Sequence, residues 1–229
     1  MRDCIARKSV WFAGMLMASS LILCSDAIAQ TKSGAGDWPQ FLGPNRNGIS
    51  DETGLIDKWP KDGPNVVWRA SGGVGMSGLA IADGRVFTMI QGNGKQTLVV
   101  HDAKTGKRLQ SVDIAPTYRN QMGNGPRATP AISADTAYVF TGEGILAAVS
   151  LKAGQLLWKH NLIQQGGGKA AAYGMASSPL LVGKLVVVTV GGPGATVIAC
   201  DQKTGKLIWK SGSDSCGYSS PTLLNVGGT

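Results

Sequence analysis

"CDQKTGKLIWKS", residues 200–211, decides the fold, because the chain has written it twice before in weaker form. His101-Asp102-Ala103-Lys104-Thr105-Gly106-Lys107 repeats its first half, and Ser150-Leu151-Lys152-Ala153-Gly154-Gln155 is a looser middle copy. Gly106, Gly154 and Gly205 stand 48 and 51 residues apart. A regular period near 50 residues is the signature of stacked structural units. A second marker keeps the same beat: Ser77-Gly78, Thr129-Pro130, Ser178-Pro179 and Ser220-Pro221 each open an apolar run.

Each unit reads as four short strands. In the third, strands are expected at 178–182, 185–190, 196–201 and 207–210, with turns at Gly183-Lys184 and Gly191–Gly194. Between the last two strands the chain must reverse tightly, which needs a residue at positive φ; Gly205 supplies it, and the preceding Asp can bond its own turn. Composition agrees: 33 glycines, 6% aromatic and 16% charged residues favour strands and turns over helices. Near-continuous apolar strands such as Leu185–Val190 suit sheets covered on both faces. A four-stranded meander cannot bury both its faces alone, so units must stack. The fold class expected is all-β, a partial β-propeller of four-stranded antiparallel blades, about three blades and one strand of a fourth; an open solenoid is the competing geometry.

Ala199-x-Asp201-x-x-Thr204-Gly205-Lys206-x-x-Trp209 resembles the tryptophan-docking motif of the PQQ-like repeat propellers, the superfamily of quinoprotein alcohol dehydrogenases and of BamB. Residues 148–158 carry it with two changes, and residues 100–110 keep the turn but place Gln110 where tryptophan belongs. The "DWPQFLGPNRNGIS" segment, 37–50, is similar to the lead-in of exported relatives from planctomycete-type bacteria. In such relatives Val66-Val67-Trp68 would be the outer strand of the last blade. The resemblance implies rings of seven or eight blades, so this chain is expected to be the N-terminal part of a longer ring, or to assemble with others.

Three segments follow: a signal peptide at 1–29, a lead-in at 30–64 and the partial propeller at 65–229. Arg2, Arg7 and Lys8 precede an apolar run from Val10 to Cys24, and Ala27-Ile28-Ala29 offers a cleavage site. The run is shorter than the roughly 20 residues a membrane span needs, so no span is expected in the mature chain. A lipoprotein signal would want a small residue where Leu23 stands. Export to the periplasm or envelope is therefore expected. Cleavage lowers the formal charge from +8 to +7, and the Lys and Arg lie singly at turns, which argues against a nucleic-acid partner.

Candidate chemistry is sparse. Gly73–Gly78 spells GxGxxG, but strand and turn follow it where a dinucleotide site requires a helix. His101 and His160 occupy non-equivalent places without companion ligands. Ser77, Ser178 and Ser220, plausible propeller-face residues, have no His/Asp partners in view and are expected to hydrogen-bond at strand starts. Cys200 and Cys216 could pair after export, a matter of separation that sequence does not fix. No catalytic or metal-binding residue is therefore expected, no cofactor is predicted, and the sequence leaves any cofactor-binding residue unknown. The chain is expected to be a non-catalytic binding or scaffolding module taking a protein or small ligand on its propeller face. Tyr118–Thr129 and Gln164–Ser178, the longest connections, should reach one rim. The alternative, implied by resemblance, is part of a dehydrogenase using pyrroloquinoline quinone and calcium, although no adjacent cysteine pair is present.

Overall fold

The computed structural model describes residues 36–224, so the signal peptide expected at 1–29 lies outside it. The first sheet is β1 (Ala80–Ala82), β2 (Arg85–Gly92), β3 (Lys95–Asp102) and β4 (Arg108–Pro116). The second is β5 (Ala131–Ser133), β6 (Thr136–Phe140), β7 (Ile145–Ser150) and β8 (Gln155–Asn161). The third is β9 (Leu180–Val182), β10 (Leu185–Thr189), β11 (Val197–Asp201) and β12 (Leu207–Ser211). Each is antiparallel and up-and-down in order, as the period requires. Asp83-Gly84 and Asn93-Gly94, all four at positive φ, make the two tight reversals of the first sheet. The expected strands of the third unit are present but trimmed by one or two residues at some ends, and no strand forms over 221–224.

Two features were not anticipated. A short helix, α1 (Leu162–Gly166), lies in the second connection, with the Asn161 side chain accepting from the Ile163 and Gln164 amides. Gln164–Lys169 is therefore a helical turn closed by left-handed Gly167 rather than a plain glycine-rich loop. The second is a register shift in every β3–β4-type pair, at Val100/His101, Ala148/Val149 and Ala199/Cys200. All three lie six residues before the turn glycine, so the bulge repeats with the motif.

The sheets stack face to face with β1, β5 and β9 side by side as inner strands. Side chains alternate across the second sheet. Val139, Ala147 and Val149 join Phe87, Met89, Leu98 and Val100 of the first sheet in one core, while Tyr138, Phe140, Leu146 and Ala148 join Val186, Val188, Ile198 and Cys200 of the third in another. Each large side chain so buried contributes about 1.5–3 kcal/mol.

The repeated turns are the joints. Asp102 Oδ1 accepts from the Thr105 amide and hydroxyl, both at 2.7 Å, and Asp201 does the same with Thr204 at 2.8 and 2.7 Å. Gly106, Gly154 and Gly205 each donate to the carbonyl four residues back, giving five-residue turns where a two-residue hairpin would be shorter. Onto Gly205 lies the indole of Trp158 from the preceding sheet, its Nε1 donating to Gln202 O at 3.0 Å. Trp68 sits the same way on Gly106, donating to Ala103 O at 2.9 Å, although no strand forms over 66–68. Gln110 takes the same slot with its amide donating to Leu151 O, again three residues before the glycine.

The Ser/Thr markers hydrogen-bond at strand starts, as expected, and in doing so join neighbouring units. Thr129 N donates to Ser178 Oγ at 3.0 Å and Ser178 N to Ser220 Oγ at 2.9 Å, linking each inner-strand entry to the next unit.

Candidate functional site

Inner strands of three residues leave free backbone edges along the line where β1, β5 and β9 meet. The lead-in fills that line. Trp38 exchanges both backbone bonds with Ile81 of β1, at 2.8 and 2.9 Å, and Pro39 O accepts from Ile132 N of β5 at 2.8 Å. Ile81 and Ile132 hold equivalent places, each the middle residue of its three-residue inner strand. The segment then folds on itself: Gln40 Nε2 donates to Pro44 O, and Gly43, Arg46 and Gly48 amides donate back to Gln40, Gly43 and Leu42 carbonyls. A Cβ on Gly43 would strike the Trp38 ring at 2.7 Å, so that position tolerates nothing larger.

Arg46 completes the crossing to the third sheet. Its Nη1 donates to Gln40 Oε1 at 3.2 Å and Pro179 O at 3.0 Å, and its Nη2 to Ser178 O at 3.3 Å. Only 6% exposed, it carries a buried charge against carbonyls, and its Nε has no partner. Burial lowers its pKa to about 10. Among the described residues the ion pair present is Arg85–Asp83, so no carboxylate compensates Arg46.

At the mouth of the inner strands the inter-unit connections are knitted into one rim. Met76 N donates to Pro126 O at 2.8 Å, Asn120 Nδ2 to Ala172 O at 2.9 Å, and Tyr173 N to the Tyr218 hydroxyl at 3.2 Å. Tyr118 lies beneath, over Gly142 and Gly174, with the Arg127 guanidinium 4.8 Å from its ring centroid. Tyr173 and Tyr218 stack at 5.5 Å and stay about half exposed, at 50% and 45%, with Met76 and Met122 exposed beside the same connections. The two long connections thus reach one rim, as expected from their equivalent places.

The sequence candidates fall elsewhere. Gly73 lies on the Gln91 backbone, where a Cβ would meet the Gln91 carbonyl at 2.2 Å, so GxGxxG serves a close approach to β2. His101 stacks on Trp68 and bonds Gly106 O at 2.9 Å, while His160 borders Trp158 and bonds Gln165 Oε1 at 3.0 Å. Both histidines support joints. Cys200 and Cys216 are free thiols; burial pushes Cys200 up to about 11 and Cys216 upward too. Sequence reasoning missed Arg46 and the Trp38–Gly48 crossing, for which the self-closing "GPNRNG" turn is the one local sign.

A quinone with calcium would need carboxylate and amide oxygens on this line. Among the described residues no group of three His, Cys, Asp or Glu could hold a metal, and the Gln40 amide oxygen on this line is taken by Arg46.

The family model described as outer membrane protein assembly factor BamB matches residues 49–225. The chain belongs to this BamB-like PQQ-repeat family. Among solved structures, quinohemoprotein alcohol dehydrogenase from Comamonas testosteroni is similar at 20% identity and TM-score 0.55, covering 76% of this chain and 26% of that one. The quinohemoprotein alcohol dehydrogenase ADHIIG from Pseudomonas putida HK5 aligns at 22% identity and TM-score 0.43, over 60% of this chain and 20% of the other. The BamB-like chain therefore spans about a quarter or less of those enzymes, and the likeness concerns fold alone. No curated protein matches it significantly. Among the described residues no helix is long and apolar enough to cross a membrane.

Proposed function

We propose that this BamB-like propeller is an exported, non-catalytic binding or scaffolding module of the cell envelope, recognising a protein or small ligand on its rim. One observation carries the reading: connections from successive units are bonded to each other into a single exposed surface bearing Met76, Met122, Tyr173 and Tyr218, while the line of the inner strands is filled by Trp38–Gly48. Rigid, adjacent loops with exposed aromatic and thioether side chains make a recognition surface at low ordering cost. The basic, apolar leader at 1–29 supports export.

Two measurements test this. A photo-crosslinker placed at Tyr173 or Met122 should trap one defined envelope component that crosslinkers at Leu109 and Leu157 on the outer strands do not. Equal trapping from both places contradicts the rim. Supplying the full-length protein with pyrroloquinoline quinone and calcium should give no dye reduction with alcohols or sugars; quinone-dependent turnover would overturn the non-catalytic reading in favour of a dehydrogenase.

A further inference from the structure

We infer that the groove along β1, β5 and β9 is a binding site for an arginine-bearing peptide, extended where it meets β1 and β5, and that Trp38–Gly48 is its resident occupant, releasable through Arg46. The inference concerns the inner-strand line and stands apart from the rim. What the groove asks of an occupant can be read from its free groups. It needs a backbone N–H and C=O in register with Ile81, a carbonyl for Ile132 N–H one residue on, and several residues later a multiple donor for the carbonyls of Ser178 and Pro179. The first two demands are met by any extended chain. The third is met by a guanidinium, whose planar fork can serve several acceptors at once.

The resident segment meets these demands at a cost that argues for release. Leu42 and Arg46 both sit in the left-handed region, at φ 61° and 51°, where L-residues are strained. The guanidinium is buried with no carboxylate, and Nε is left without a partner. Stable burial of a charge ordinarily brings an opposite charge or full hydrogen bonding, and Arg46 has neither. Backbone bonds to short inner-strand edges, one strained latch and no apolar staple comparable to the blade cores describe a strap that can leave as a unit.

The test uses the full chain and a fluorescent peptide with the sequence of residues 37–48. The Arg46→Ala chain, its own strap loosened, should bind this peptide at least tenfold more tightly than the unaltered chain. The same peptide carrying Arg46→Ala should bind the altered chain at least tenfold more weakly. Failure of the altered chain to bind the peptide, or equal affinity for both peptides, overturns the inference. Should Arg46→Ala prevent folding, hydrogen exchange on the unaltered chain decides: the Ile81 and Ile132 amides should exchange together, well ahead of the β2–β3 and β6–β7 ladders, and slow again with excess peptide. Exchange as slow as those ladders refutes a releasable strap.

Discussion

Alanine at the three turn glycines should separate backbone cost from joint cost. Gly154 and Gly205 share a left-handed backbone, with φ of 64° and 72°, so a Cβ strains each alike by about 1–2 kcal/mol. Their surroundings differ. At Gly154 the nearest atom to an added Cβ is the Gln110 amide carbon at 3.8 Å, ordinary contact, whereas at Gly205 the Trp158 ring stands at 2.6 Å and His160 at 2.7 Å. Gly205→Ala must therefore lift Trp158, 9% exposed, partly out of its seat, adding about 2–3 kcal/mol of the roughly 3–5 kcal/mol that losing the seat altogether would cost. The expected order is Gly205→Ala worst, at about 3–5 kcal/mol, and Gly154→Ala mildest, at about 1–2 kcal/mol. Gly106→Ala falls between, because Trp68 is only half-buried though equally close at 2.6 Å. At roughly 2–4 °C per kcal/mol for a chain of this size, Gly205→Ala and Gly154→Ala should melt about 4–12 °C apart by circular dichroism. Equal losses would falsify the claim that indole-on-glycine contacts hold the blades together.

Three further outcomes follow from the same joints. Gln110→Trp should raise the melting temperature by a few degrees, since the slot over Gly154 is open and the buried Gln110 Oε1 has no partner; an unchanged or lower value contradicts the equivalence of the three slots. Trp158→Ala should cost about 3–5 kcal/mol in denaturant melts, whereas Trp209→Ala, at a residue 41% exposed, should cost at most about 0.5 kcal/mol. The Asp102 and Asp201 carboxyls are held below the ordinary range first by the Thr105 and Thr204 hydroxyls, so their stabilisation is present above about pH 4 and is lost as pH falls through their folded values. Asn at both positions should flatten the fall in melting temperature between about pH 4 and 2, and an unaltered slope would sink the assignment.

The joints were legible in sequence because they are written in residue types that sterics makes hard to replace. A glycine at positive φ and an Asp closing a turn on Thr follow from local geometry, the docking tryptophan four residues later came from the resemblance, and three copies in register turn local signals into an architecture. Gln110 shows the limit: its slot was visible as a departure, but that its amide donates to Leu151 O as the indoles do required coordinates. Ser178 was legible as bonding at a strand start, but that its hydroxyl accepts from Thr129 of the neighbouring unit, 49 residues away, required coordinates. The axial segment was least legible. Trp38 and Pro39 act through backbone atoms, which any sequence supplies, and Arg46 reaches carbonyls 132 and 133 residues distant.

The most direct measurement of the blade-to-blade claim is the proton NMR position of the α protons of the three turn glycines. Gly106 and Gly205, lying under indole faces, should appear well upfield of the usual glycine range, and replacing Trp68 or Trp158 should return only the matching one. Gly154, beneath the Gln110 amide, should stay in the usual range throughout. Three ordinary glycine signals, or a shift in one that ignores its own tryptophan, would contradict the stacked-blade architecture.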